Sequence, residues 1–285
     1  MKSIISIGSP ALFFANYLAD YPEYNMYSFD HTKAEFKIPV FTEVERYEEP
    51  LAGLEEYLAT VADEVIFVVS GGEFCSLISL QVLEKIKEKK VEIIYLQPDL
   101  DLLNKTCRQI HNLVHGVLQE MTRSHVFERF YLFELDLVRK TTESALISDI
   151  TQKVSAACAR HFHTFNWLTS QQEVFGFSAE NIKNAKISSL SYCDFNLTNM
   201  TNLGIIRFIR QQEVFYGISE KKIKNDTSLY DKITESFRSF RNDEINNSFK
   251  VFSVPFDQDV VYIKNSTTAV QNKFLEETLD KQGKA

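Results

Sequence analysis

Residues Val65–Pro98 read VIFVVSGGEFCSLISLQVLEKIKEKKVEIIYLQP. An apolar run of strand length meets a two-glycine turn, an amphipathic helix, a charged break and a second apolar run. Continuous Val, Ile and Phe mark a strand of a parallel sheet covered on both faces. A strand, a glycine turn and a helix N-terminus in that order is the layout that cradles a phosphate. Glu73 and Phe74, however, stand where such a loop wants small, uncharged residues. Three readings of the loop follow: a nucleotide site, a site that has lost its nucleotide, or ordinary packing.

Working outward, Ser3–Ile7 is a short β-branched strand closing on Gly8-Ser9-Pro10, and ALFFANYLADY after it reads as a buried helix. Tyr24–Asp30 is a second strand, and PLAGLEEYLATVA, opening at Pro50, an amphipathic helix. Beyond the opening strand the pattern predicts a helix over Ser76–Lys89, a strand over Val91–Gln97 and a helix over Asp101–Met121. A strand over Val126–Asp136 and a long helix over Thr142–Phe165 come next. Strands alternating with helices make a βαβ-type parallel sheet. Ligands bind such sheets at the carboxyl ends of the strands, where Gly8, Ser70–Phe74 and Pro98 fall.

Past Thr169 the texture changes. Ser178–Asn202 is rich in Asn and Ser, GIIRFIRQQEVFYGIS is strand-like, and a helix is expected over Thr227–Arg241. SFKVFSVPF and DVVYIKNS read as strands, and a last helix-like segment starts near Thr267. The expected division is a parallel α/β domain over 1–141, a connecting helix over 142–168 and a smaller α+β domain over 169–285. Gln171–Asn184 and Gln211–Asn225 share QQEVF, a doublet too short for a repeat architecture.

Composition bounds the function. The 285 residues are 44% hydrophobic and carry a formal net charge of −8, which argues against a surface that tracks nucleic-acid phosphates. The basic run Glu84–Lys90 alternates in sign and reads as a solvated helix end. Cys75, Cys107, Cys158 and Cys193 are far apart, without metal-ligand spacing, and read as free thiols of a reducing compartment. No apolar stretch approaches the roughly 18 to 20 residues of a membrane span, and the N-terminus lacks a signal-peptide pattern. The expectation is a cytoplasmic protein. Only 9 glycines against 23 Phe and 12 Tyr leave few tight backbone loops.

The order of parts resembles the tubulin/FtsZ superfamily. VIFVVSGGEFCSLISLQVLEKIKEKKVEIIYLQP looks like that family's strand, glycine-rich phosphate loop, helix, next strand and following proline. DLLNKTCRQIHNLVHGVLQEMTRSHVFERFYLFELDLV resembles the next helix–strand unit, and ESALISDITQKVSAACARHFHTF the central helix. SYCDFNLTNMTNLGIIRFI resembles the synergy loop and the first strand of the C-terminal domain. The resemblance implies a nucleotide-binding-type Rossmann-like domain, a long central helix and a smaller C-terminal domain.

The departures fall where the resemblance implies chemistry. The family's Gly-Gly-Gly-Thr-Gly-Ser-Gly is here Ser70-Gly71-Gly72-Glu73-Phe74-Cys75-Ser76. A glutamate about 4 Å from a phosphate is repelled by roughly 4 kcal/mol at an effective dielectric of about 20. The N-terminal glycine cluster is reduced to Gly8-Ser9-Pro10, and Pro10 removes one N–H donor. In the segment matching the synergy loop Asp194 keeps the first acidic position. Leu197 replaces the second, the carboxylate that would help activate water in a neighbouring subunit's site. Asp194 is then an interface residue or a plain turn residue. If nucleotide binds at all, the implied positions are Gly8, Ser9, Ser70, Gly71, Gly72, Glu73, Ser76 and Pro98, with GTP and Mg²⁺ as cofactors. The preferred expectation is no cofactor, no metal and no catalytic residue.

Other candidates have blander readings. His161 and His163 at i, i+2 point to different helix faces, and His111 and His115 at i, i+4 lack a third ligand. Cys75 sits near a helix N-terminus without a local histidine. Ser70 is not in a nucleophile elbow. Asp99 and Asp101 could hold Mg²⁺ or a sugar but fit a helix entry with an N-cap aspartate. FERFYLFEL reads as a buried strand.

The sequence thus leads to a tubulin-like assembly protein with a degenerate nucleotide site, working through self-association or a protein partner. The alternatives are a divergent GTP-hydrolysing filament protein of phage or plasmid type, and an unrelated doubly wound enzyme. The reading leans away from an enzyme.

Overall fold

Ile66 and Val68 turn to one side of the opening strand and Phe67 and Val69 to the other, and all four are buried. A strand apolar on both faces has to be sandwiched, and it is. In the computed structural model, which describes residues 1–41, 43–178 and 182–271, the chain forms one continuous 12-stranded sheet.

The first half contains strands β1 (Lys2–Ile7), β2 (Tyr24–Asp30), β3 (Phe36–Lys37), β4 (Glu64–Ser70), β5 (Lys90–Gln97) and β6 (Arg129–Glu134). Its helices are α1 (Ser9–Leu18), α2 (Leu54–Leu58), α3 (Ser79–Lys85), α4 (Lys105–Arg123) and α5 (Leu135–Thr141). The long α6 (Ile150–Thr169) leads to β7 (Glu173–Phe177), β8 (Ile187–Cys193), β9 (Thr201–Asn202) and β10 (Gln211–Ser219). Helices α7 (Glu220–Asn225) and α8 (Leu229–Phe240) and strands β11 (Asn246–Val254) and β12 (Val260–Thr267) complete the described chain.

The order β3-β2-β1-β4-β5-β6-β8 is parallel throughout, and antiparallel pairing begins at β8–β12. Strand order reverses between β1 and β4, so the loops after these two strands share the sheet's topological switch point, the default ligand site of such sheets. The halves join at β6–β8 over only three register pairs, Phe130–Ile187 to Leu132–Ser189.

The core lies on both faces. Phe67, Ile93, Tyr95 and Phe130 pack with Ile110, Val114 and Leu118 of α4. Ile66, Ile94, Tyr131 and Phe133 pack with Phe14 of α1 and Phe162 and Phe165 of α6. A third cluster seats Ile233 and Phe237 of α8 on β10, β11 and β12. The central helix bridges the halves: Phe165 meets Tyr131 of β6, Phe215 of β10 and Tyr262 of β12 edge-on, with ring centroids 5.1 to 6.4 Å apart.

Several expectations need correction. The helix expected over Ser76–Lys89 begins as a 3₁₀ turn (Phe74–Ile78) and is α-helical only over Ser79–Lys85. The central helix starts at Ile150, not Thr142, and the expected strand over Val126–Asp136 gives way at Leu135 to α5. GIIRFI is not a strand. Gly204 lies against the Leu132 carbonyl so closely that any Cβ would collide, and the run ends in a left-handed Phe208. The expected strand is confined to its second part, β10, and another strand comes earlier, as β8 inside the polar ISSLSYC. Its serines are spent internally, Ser188 Oγ pairing with Ser266 Oγ at 2.8 Å and Ser191 Oγ donating to Asn202 Oδ1 at 2.8 Å. The two QQEVF segments flank one strand, since Val251 of β11 faces Tyr216 on one side and Phe175 on the other. Thr267 closes β12, and the helix-like segment expected after it falls mostly outside the described residues. No helix among the described residues is long and apolar enough to cross a membrane.

His161 of α6 stacks on Tyr192 with centroids 4.7 Å apart, and its Nδ1 lies 3.0 Å from the Tyr262 hydroxyl. Burial, with Arg160 adding, pulls its pKa down to about 4. Between that value and the unfolded value of about 6.5 the unfolded chain binds more protons, so stability rises with pH through this window and is lost as pH falls. Urea unfolding is expected to show about 2 kcal/mol less stability at pH 4.5 than at pH 7 from this group alone. His161→Asn should remove that component, leaving a flatter pH profile than the wild type.

Candidate functional site

The candidate site is the switch-point cleft between the end of β1, the end of β2 and the loop after β4. Gly8 ends β1 at φ 91°, ψ 164°, a conformation essentially reserved for glycine. It delivers α1 with its N-terminus facing the loop of Gly71–Ser76. Such an end leaves backbone donors free for an anion.

Here those donors are taken from within the chain. The Ser9 N–H donates to Glu73 Oε2 at 2.9 Å, and the Ala11 N–H donates to Ser70 Oγ at 2.9 Å. Pro10 has no N–H, the Gly8 N–H donates to the Phe29 carbonyl at 3.0 Å, and the Leu12 N–H closes the first helical turn onto Gly8. Every amide from Gly8 to Leu12 is accounted for. The Glu73 carboxylate and the Ser70 hydroxyl sit where a bound anion would.

The glycines of the loop also answer to protein atoms. A Cβ on Gly71 would lie 2.6 Å from the Tyr95 hydroxyl and 2.9 Å from Pro98 Cδ; one on Gly72, at φ 74°, would lie 3.0 Å from Leu103 Cδ1. The Gly71 N–H is given to the Leu96 carbonyl at 2.9 Å, and the Ser76 N–H and hydroxyl both donate to the Glu73 carbonyl. All eight positions expected for nucleotide are thus brought to one place. Ser9 and Ser70 bond across the two loops, whereas Gly71 bonds to β5 and Ser76 within its own loop.

The cleft above this floor measures about 700 Å³ and is walled by Phe41, Tyr47 and Phe74. Asp30 and His31, at the carboxyl end of β2, were not singled out in the sequence. An acid closing a parallel strand beside the switch point is the signal that could have found them. Asp30 Oδ1 accepts from the Thr32 and Lys33 amides at 2.9 and 3.1 Å and from Thr32 Oγ1 at 3.2 Å. Burial alone would raise the Asp30 carboxyl, but these bonds outweigh it and hold it below the usual range. Burial pushes the Glu73 carboxyl up, the Ser9 amide offsetting part of this. Burial, with Glu73 beside it, pushes the Cys75 thiol far up as well.

No protein-family model matches the chain and no curated protein resembles it in sequence. Solved structures do resemble it in shape. A GTPγS-form protofilament of TubZ from Bacillus thuringiensis serovar israelensis aligns over 100% of this chain and 92% of its own, at TM-score 0.67 and 11% identity. CetZ2 from Haloferax volcanii, a GTPγS-bound protofilament, aligns over 99% and 97% at TM-score 0.63 and 13% identity. An empty FtsZ dimer from M. jannaschii aligns over 93% and 87% at TM-score 0.61 and 7% identity.

The chain has the tubulin/FtsZ fold.

At the position that resembles that fold's synergy loop, Asp194 is turned on its own backbone. It accepts from the Thr198 amide at 2.8 Å, the Thr198 hydroxyl at 2.6 Å and Asn199 Nδ2 at 2.7 Å, bonds that pull its carboxyl down to about 2. These bonds close the turn. Leu197 adopts φ 60° and buries its side chain in the third core cluster.

The remaining candidates take structural roles. Asp99 caps a 3₁₀ turn by accepting from the Asp101 amide at 3.1 Å. His163 pairs with the Tyr24 hydroxyl at 3.2 Å. His111 and His115 stack on each other beneath Tyr95, whose hydroxyl is 2.9 Å from His111 Nδ1. His115 is held neutral by burial, with Nε2 lacking a hydrogen-bond partner among the described residues.

Gly8→Ala should cost at least about 2 kcal/mol, combining backbone strain with a collision against Glu73 and Ser70. Glu73→Ala in the same chain should recover only part of that, because φ and Ser70 are unchanged. Urea unfolding of both variants measures the split; a loss under about 0.5 kcal/mol for Gly8→Ala would contradict the packing described.

Proposed function

We propose that this chain is a tubulin/FtsZ-like assembly protein whose nucleotide site is degenerate, acting through contacts with further copies of itself or with a protein partner. The observation that carries the reading is the Glu73 carboxylate at 2.9 Å from the Ser9 amide, at the helix end where a phosphate would otherwise be held. Displacing it would strip a charge-assisted hydrogen bond from a half-buried carboxylate and leave that charge beside an incoming anion. Each such bond is worth roughly 1.5–3 kcal/mol and the repulsion roughly 4 more at about 4 Å. Leu197 supports the same reading from the other side, since it offers no proton acceptor where hydrolysis would need one. Self-association is supported by the company the fold keeps: the TubZ and CetZ2 structures are protofilaments.

A divergent GTP-dependent filament protein of phage or plasmid type is the competing reading, with GTP and Mg²⁺ held by rebuilt loops. The two differ in linkage, because a ligand that binds the native state raises its melting temperature. GTP or GDP with Mg²⁺ is expected to leave the melting temperature within about 1 °C, and the purified protein should carry no guanine nucleotide. Light scattering should detect assembly without added nucleotide, at a critical concentration that GTP does not change. Retained nucleotide, or a rise of several degrees with GTP, would sink the degenerate-site reading.

A further inference from the structure

Two carboxylates and a thiol converge on the floor of the cleft. A carboxylate oxygen of Asp30, one of Glu73 and the Cys75 sulfur all lie within 4.8 Å of one another. Asp30 and Cys75 are 8% and 2% exposed. Among the described residues neither carboxylate is paired with a lysine or arginine; their partners are the Thr32, Lys33 and Ser9 amides, the Thr32 hydroxyl and the Cys75 thiol. Lys33, the nearest cation in sequence, places its ammonium over the Phe13 ring at 5.5 Å. His31 is engaged by the Ile38 carbonyl at 3.1 Å and the Tyr47 hydroxyl at 3.4 Å. Buried charges are ordinarily paired or bound to metal, and here, among the described residues, Glu73 faces the helix end of α1, with His31 a lesser positive influence nearby.

The geometry suits an ion. Among the described residues all three hydrogen bonds to Asp30 go to Oδ1 and none to Oδ2. Cys75 Sγ lies 3.4 Å from Glu73 Oε2. A tetrahedral zinc with bonds of about 2.3 Å to sulfur and about 2.0 Å to oxygen has an S–O edge of roughly 3.5 Å. The three donors come from two segments brought together by the switch point, and the cleft above leaves room for a fourth ligand.

We infer that Asp30, Glu73 and Cys75 form a binding site for a divalent cation of the zinc class, with water in the remaining position. The inference rests on the reading that nucleotide does not occupy this loop. On binding, the S–H bond of Cys75 breaks heterolytically, its proton leaves to solvent and the sulfur's electron pair goes to the metal; nothing is oxidised or reduced. Glu73 exchanges the thiol's hydrogen bond for the ion and keeps the Ser9 amide. Thiolate ligation selects zinc or cobalt over Mg²⁺. The ion would tie the end of β2 to the loop after β4.

The test uses the full chain stripped of metal by chelator. Co²⁺ titration should give a thiolate-to-cobalt charge-transfer absorption saturating at one ion per chain. Zn²⁺ should displace the cobalt and raise the melting temperature by several degrees, whereas Mg²⁺ at the same concentration should do neither. Cys75→Ser should abolish the absorption, Asp30→Asn should weaken Co²⁺ binding at least tenfold, and Cys107→Ser, which changes the other thiol of the cleft, should leave both intact. Cadmium NMR on the wild-type chain, expected to report one sulfur among oxygen ligands, keeps the test sound should Cys75→Ser fail to fold. No absorption with the wild type, or its loss in Cys107→Ser instead, overturns the cation site. Neither result bears on the nucleotide reading, which stands or falls on the response to GTP in metal-free protein.

Discussion

The hydrogen bond from the Ser9 amide to the Glu73 carboxylate closes a gap of 64 residues and joins the two loops of the switch point. It depends on Gly8, whose positive φ aims the amide, and on the absence of any side chain there that would exclude the carboxylate. Around it the rest of the loop is arranged: Tyr95 and Pro98 fill the space over Gly71, Leu103 the space over Gly72, and Ser70 takes the second amide of α1. A helix N-terminus is an electrostatic resource that some group will use. In this chain the group is covalently part of the loop.

The strand run Glu64–Ser70 and the strand Tyr24–Asp30 were legible to the residue, the first as a continuous apolar run and the second as a short aromatic-rich segment. The central strand β8 was not. ISSLSYC is polar by composition, and only the distant partners Ser266 and Asn202 make its serines fit for burial. The short helix α5 was not expected either, and its first two residues, Leu135 and Asp136, were read as the end of a strand. At the site, Glu73 and Phe74 were conspicuous by mismatch with a phosphate loop. What they do instead was invisible, since the donating Ser9 amide belongs to α1 and the neighbouring Asp30 to β2, both distant in sequence.

The join between the halves combines a short seam with a long brace. Only three residue pairs link β6 to β8, while α6 packs aromatic side chains on strands of both halves. A buried Lys264–Glu213 pair adds charge complementarity where β12 meets β10. Backbone pairing fixes the register of the joined sheet, and side-chain packing against α6 fixes the angle.

Leu197 shows how firmly the present arrangement is held. Its side chain belongs to the cluster that seats α8 on the C-terminal strands, and its left-handed backbone shapes the loop that Asp194 closes. An aspartate exchanged directly into this position would bring an unpaired charge into that cluster, at a penalty of several kcal/mol against a total stability of about 5–15 kcal/mol. Placing a carboxylate there would require the loop to be rebuilt first. The leucine is therefore anchored in folding energetics, and its exchange for an acid would have to pass through less stable chains.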